Sequence, residues 1–238
     1  MEAEIYHKTA MKQYEDGTTL IDLLSPTEKS KVLDLGCGTG YLSKVLGERV
    51  GPGGKVVGVD PDKARIKVAK EKYTSSNVVF FEGSTDEFPE DQYDFVLSNY
   101  VLHWVKDQES AFKNVYKYLK PGGRFGFLAP LYLPPLLSHL CKLGGAEEFE
   151  ESVIHTTVEG FEELSLKCGF SIDFKAESKI VYSFPSFDSL LDWWHGTTHG
   201  AFKPALIDSD TMQRFKTIYG DDPIEVPGCN AVFVVSKP

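Results

Sequence analysis

Basic residues, cysteines and long apolar runs are scarce in this sequence. Of its 238 residues, 25 are Lys or Arg against 35 Asp or Glu, a formal charge of −10. That shortage of cations argues against a nucleic-acid partner, because neutralising phosphates takes a basic surplus. The four cysteines, Cys37, Cys141, Cys168 and Cys229, are scattered with no CxxC pair. Neither a disulfide framework nor a zinc site is indicated, and no metal is expected. No stretch approaches the roughly 18 uninterrupted apolar residues of a membrane span, and the polar, acidic opening residues do not resemble a signal peptide. The expectation is a cytoplasmic protein with no membrane span. Arginine is also sparse, at Arg49, Arg65, Arg124 and Arg214.

What the chain has in quantity is alternation of short apolar runs with helical patterns. "KVLDLG" (31–36), "KVVGVD" (55–60), "VVFFEG" (78–83), "DFVLSN" (94–99) and "RFGFLAP" (124–130) read as strands. Apolar stripes between them, clearest at Ala111, Phe112, Val115, Tyr116 and Leu119, read as helices. "GPGG" (51–54) and "KPGG" (120–123) read as turns separating the units. The pattern predicts an α/β fold: a doubly wound, Rossmann-like, mostly parallel sheet whose functional mouth lies at the carboxyl ends of its strands. The second half is less regular. It reads as a helix near 161–170 closed by Gly169, a strand over 171–184, helices over 186–196 and 208–220, and a final strand in "NAVFVVSKP". A single domain over 1–238 is expected, with 131–157 and 185–229 as a small helical cap.

"VLDLGCGTG" sets a glycine turn between a strand and a helix. A dinucleotide fingerprint wants glycine at the first, third and sixth positions, which here are Gly36, Gly38 and Tyr41. The tyrosine disfavours a nicotinamide-dependent oxidoreductase, and no Gly-Lys-Ser/Thr follows to make a P-loop. Asp34, two residues before the first glycine, would repel a pyrophosphate and suits a cation. With the strand-end Asp60 available for ribose hydroxyls, the inventory matches S-adenosylmethionine, which carries a sulfonium, an amino group and a ribose. Two bland readings stand beside this one: Asp34 capping the loop's own amides, and Asp60 capping the following helix.

Taken in order, "VLDLGCGTG", "VVGVDPD", "FEGSTDEF" and "YDFVLSNYVLHWV" followed by "YLKPGGRF" closely resemble the motifs of class I S-adenosylmethionine-dependent methyltransferases. The resemblance implies a seven-stranded sheet and that donor as cofactor, leaving S-adenosylhomocysteine. It places Gly36, Cys37, Gly38 and Gly40 along the methionine part, with Asp34 near the amino group. Asp60 would take the ribose, Pro61 would lie beside the adenine, Ser84 and Thr85 would meet the adenine edge, and Asn99 would lie beside the methyl group.

Narrower likenesses follow. "LHWVKDQESAFKN" and "IYHKTAMKQYED" resemble juvenile hormone acid methyltransferases, and "FPSFDSLLDWWHGTTHGAFKPAL" is similar to trans-aconitate methyltransferase. Both relatives esterify carboxylic acids, and a carboxylate is already ionised near pH 7 and needs no general base. Gln13 and Trp104 are then the expected acceptor-holding residues, since both side chains can donate hydrogen bonds. Tyr100, Trp193, His195 and His199 are further substrate-binding candidates. His103 is expected to be a satisfied buried histidine, turned from Trp104 by strand alternation. The apolar "LYLPPLL" (131–137) and the few arginines favour a monoacid with an apolar tail. An N- or C-methyltransferase of a small amine or quinone-like metabolite, and a non-catalytic cofactor-binding protein, are the alternatives.

Overall fold

The computed structural model describes residues 2–219 and 223–238. In chain order the elements are α1 (Glu2–Thr9), α2 (Met11–Leu24), β1 (Lys31–Leu35), α3 (Tyr41–Val50), β2 (Lys55–Asp60), α4 (Lys63–Tyr73), β3 (Val78–Glu82), β4 (Tyr93–Asn99), α5 (Gln108–Tyr118) and β5 (Leu119–Pro130). They continue with α6 (Pro135–Leu143), α7 (Glu147–Ser152), α8 (Val158–Lys167), β6 (Ser171–Phe184), α9 (Phe187–Thr197), α10 (Ser209–Tyr219) and β7 (Ile224–Ser236). The seven strands form one sheet in the order β3-β2-β1-β4-β5-β7-β6. The four pairings from β3 to β5 are parallel, whereas β7 joins β5 antiparallel. The expected α/β sheet is therefore present. Its order reverses between β1 and β4, which opens a crevice at their carboxyl ends.

Strand alternation sorts the core onto the two faces. Leu33, Leu35, Val57, Val59, Phe125, Phe127, Phe233 and Val235 point to the face covered by Phe112 and Val115 of α5 and Phe161 of α8. Val32, Val56, Leu128, Val232 and Val234 point to the opposite face, under Leu20, Ile21 and Leu24 of α2, Leu42 and Leu46 of α3 and Ile66 of α4. Phe127 and Phe233, paired across β5 and β7, stack with ring centroids 5.0 Å apart.

Two sequence expectations are corrected. "KPGG" does not separate a helix from a strand: β5 begins at Leu119 and runs through it, with a register shift as Tyr93 pairs with Leu119 and Phe95 with Arg124. Gly122, at φ 75°, supplies the left-handed residue of that irregularity. The last strand starts at Ile224, earlier than "NAVFVVSKP" suggested.

The chain divides into two compact units. One comprises 13–131, 154–178 and 230–238; the other comprises 1–12, 132–153 and 179–229. The second has its own core, in which Leu137, Leu140, Leu190, Trp193, Trp194 and Phe202 are buried. Both expected cap segments overlap it in sequence. No helix among the described residues is long and apolar enough to cross a membrane.

Candidate functional site

The glycine turn that follows β1 is built from left-handed residues: Gly36, Gly38 and Gly40 have φ of 78°, 54° and 87°. Four of its amides are already engaged. Gly36 N and Cys37 N both donate to Val59 O at 2.8 and 2.9 Å, and Gly40 N donates to Cys37 O at 3.0 Å. Gly38 N donates to Asp60 Oδ2 at 2.9 Å. The turn therefore does not present a nest of open amides to an anion. A side chain at position 40 would also collide with its neighbours, since a Cβ there would lie 2.8 Å from Phe80 Cζ and 2.9 Å from Ala69 Cβ. Gly40→Ala is expected to lose about 2 kcal/mol of stability through the strained φ and the overpacking, read as a lower urea midpoint.

Beneath the turn lie two buried carboxylates. Asp34 is only 1% exposed, and Ser43 Oγ donates to its Oδ2 at 2.5 Å. Burial raises the Asp34 pKa to about 7, the Ser43 hydrogen bond opposing and the charge of Asp60 adding to it. Burial, with the charges of Asp34 and Asp60, also pushes the Cys37 thiol well up. The space is thus electronegative and favours a ligand bearing positive charge. Both bland readings are corrected in detail. Asp60, not Asp34, binds a loop amide, and it also accepts from Asp62 N at 2.9 Å. The cap of α4 is Asp62, which accepts from Ala64 N and Arg65 N. Asp60 O further accepts from Gly83 N at 3.2 Å, which brings the loop carrying Ser84 and buried Thr85 beside the end of β2. Pro61 is exposed next to it.

At the end of β4, Asn99 Nδ2 donates to Gln13 O at 2.9 Å, tying α2 to the sheet. Gly17 permits this approach, since a Cβ there would lie 2.9 Å from Asn99 Nδ2. Gln13 is buried, and among the described residues its Oε1 and Asn99 Oδ1 have no hydrogen-bond partner. Tyr100, at φ 59°, donates from its hydroxyl to Asp16 Oδ2 at 2.8 Å and accepts from Asn230 Nδ2 at 2.7 Å. Ser43, Asp16 and Asn230 were not expected at the site. Only the tertiary structure draws them in, although a Leu20, Ile21, Leu24 stripe marks the helix that carries Asp16.

Trp104 is half-buried in a 3-10 turn, Leu102–Trp104, against His103 at a centroid distance of 4.2 Å. The strand does not continue to these residues, so alternation does not separate them. His103 is buried as expected, but its Nδ1 has no hydrogen-bond partner among the described residues. Burial and the nearby His155 lower its pKa to about 3, leaving it neutral near pH 7.

Trp193, His195 and His199 belong to the second unit. Trp193 is buried against Tyr182 and Phe184, each 5.1 Å away between centroids. His195 Nδ1 lies 2.6 Å from Phe202 O; a carbonyl only accepts, so Nδ1 carries the proton. His199 is exposed at φ 52°.

Residues 26–168 match a family described as a methyltransferase domain. A malonyl-[acyl-carrier protein] O-methyltransferase of Priestia megaterium is 33% identical over 52% of this chain and 47% of its own. The ubiquinone/menaquinone biosynthesis C-methyltransferase UbiE of Vibrio campbellii is 29% identical over 62% of this chain and 63% of that one. Over its alignments the chain spans about half the length of the first of these curated relatives. Among solved structures, the YcgJ protein of Bacillus subtilis aligns with a TM-score of 0.65 at 19% identity, over 94% of this chain and 98% of that one.

Proposed function

This chain belongs to the class I S-adenosylmethionine-dependent methyltransferases, and from that premise we propose that it methylates a carboxylate oxygen of a small acid with an apolar tail. The donor site fits the residues present. Asp34 and Asp60 make the space under the glycine turn electronegative, and a sulfonium with an ammonium group satisfies it. When bound, the donor supplies an electrophilic methyl carbon. In this reading Gly36, Cys37, Gly38 and Gly40 line its methionine part, Asp60 holds the ribose, Pro61, Ser84 and Thr85 flank the adenine, and Asn99 stands beside the reacting centre.

The observation that carries the carboxylate reading is the state of two side chains that follow Asn99 in the chain. His103 has a pKa of about 3, and the Tyr100 hydroxyl is engaged with Asp16 and Asn230. An acceptor that arrives already ionised needs no base, and catalysis then consists of alignment and exclusion of water. The malonyl relative, named for methylation at oxygen, adds support. Gln13 and Trp104 would donate to the acid, with Tyr100 as a further contact. Residues 131–157 and 185–229, including Trp193, His195 and His199, are proposed as acceptor-covering segments. Cys37, Cys141 and Cys168, buried free thiols, suit a reducing, cytoplasmic setting.

A second reading has its own observation. Among the described residues Gln13 Oε1 and Asn99 Oδ1 are acceptors without partners, and they would suit the N–H groups of a small amine. Incubation with radiolabelled donor and a panel of acids, amines and phenols separates the two. Label is expected in apolar monoacids; label confined to amines or phenols would overturn the first reading. Gln13→Ala and Trp104→Phe are each expected to lower turnover about tenfold while donor affinity holds, as a lost hydrogen bond to a charged group implies. Unchanged turnover in both would remove them from the acceptor site.

A further inference from the structure

The sheet ends at β3 on one side and β6 on the other. β3 has 5 residues and β6 has 14. A short edge resists pairing with other chains, whereas a long one offers a row of unpaired backbone N–H and C=O groups. Among the described residues, no backbone hydrogen bond leads from 171–183 to anything outside the sheet. Phe174 is 38% exposed on this strand, and Lys175, Glu177 and Lys179 are exposed as well. Alternation places Asp173, Lys175, Glu177 and Lys179 on one face, so its charges run minus, plus, minus, plus. Two of these groups are fixed within the chain. Asp173 accepts from Arg124 Nε at 3.0 Å and Ser236 Oγ at 2.8 Å, and Lys175 Nζ donates to Glu162 Oε2 at 2.6 Å. Glu177 and Lys179 have no hydrogen bond or ion pair among the described residues.

We infer that β6 pairs antiparallel with β6 of a second copy of this chain, about a two-fold axis at Ala176, so that one sheet runs through a homodimer. In that register Lys175 lies opposite the second copy's Glu177 and Asp173 opposite its Lys179, and the symmetry repeats both pairs. On the other face Ile172 comes opposite Ile180, and the exposed ring of Phe174 lies diagonal to Ala176. Directly opposite residues share a face, so the adjacent registers put the axis at Lys175 or Glu177. The first sets Lys175 against Lys175 and Asp173 against Glu177. The second sets Glu177 against Glu177 and Lys175 against Lys179. Like charges directly opposite destabilise a strand pair. An axis at Phe174 or Ser178 leaves one kind of opposite-charge pair in place of two. Edge charges ordinarily keep other chains away; here their order rejects the adjacent registers and favours the one at Ala176. The inference is independent of the methyl-transfer reading, since no residue assigned to donor or acceptor lies in β6.

Sedimentation equilibrium of the full chain, without methyl donor and at loadings up to about 100 μM, tests it. A reversible monomer–dimer equilibrium is expected, and it should weaken as salt is raised. Glu177→Lys, which removes no bond within the chain, and separately Lys175→Glu should each weaken dimerisation at least about tenfold, because each sets like charges opposite one another twice across the axis. An equimolar mixture of the two variants should dimerise as the parent does, since every reversed position then meets its opposite charge. That rescue also separates a lost interface from a folding defect. A parent that stays monomeric, a dimer that either reversal leaves unchanged, or single reversals that mixing fails to rescue would overturn the proposal.

Discussion

Asp60→Ala is expected to weaken S-adenosylmethionine binding at least about 100-fold, measured by calorimetry near pH 7.5. The carboxylate is 6% exposed and holds two backbone amides at 2.9 Å, Gly38 N through Oδ2 and Asp62 N through Oδ1. Hydrogen bonds to a charged group contribute roughly 1.5–3 kcal/mol each, and a buried donor left unpaired costs about 1–3 kcal/mol. Removing Asp60 therefore releases the glycine turn and, on the proposed reading, the ribose as well. Asp60→Asn keeps one acceptor oxygen and should fall between the parent and the alanine variant. A folded Asp60→Ala protein, judged by circular dichroism, that binds the donor as tightly as its parent would remove the donor from this site.

The second large effect concerns Asp34 and pH. Its carboxyl in the folded protein titrates at about 7, against an ordinary value of 3.8, mainly because burial disfavours the charge. A cationic donor binds the ionised form, so affinity should fall about 25-fold from pH 7.5 to 5.5. Above about pH 8 it should fall again as the donor's own amino group loses its proton. Asp34→Asn is expected to flatten the acidic limb. The same group affects folding in the opposite sense. A raised pKa means the folded state holds the proton more tightly, so its stabilising contribution is complete below about pH 3.8 and is lost as pH rises through about 7. The loss is on the order of 4 kcal/mol for a shift of this size. Ligand-free Asp34→Asn should therefore melt higher than the parent at pH 8 and equally at pH 4. Equal melting at pH 8, or an unchanged acidic limb of donor affinity, would show that Asp34 does not titrate in this range.

The sheet was legible because strands buried on both faces read as unbroken apolar runs, and "KVVGVD" coincides with β2. Turn chemistry misled at "KPGG", where proline and glycine form an irregularity inside β5 rather than a break before it. The helix α2 has a local signal in Leu20, Ile21 and Leu24, yet nothing local marks Gln13 as buried or Gly17 as a point of close approach. Asp16 and Asn230 meet at Tyr100 from 84 and 130 positions away, a distance no local pattern spans.

By itself the sequence determined the order of the strands and of the helices between the parallel ones, the glycine turn and the placement of two acids at strand ends, because periodicity, turn chemistry and charge are properties of neighbouring residues. The tertiary structure alone decided that the turn's amides bond inward, that Asp60 rather than Asp34 holds the loop, that Asp34 titrates near neutrality and that Gln13 is buried. Hydrogen-bond partners and desolvation depend on which distant segments arrive at the same place, and that is set only when the sheet and its helices close.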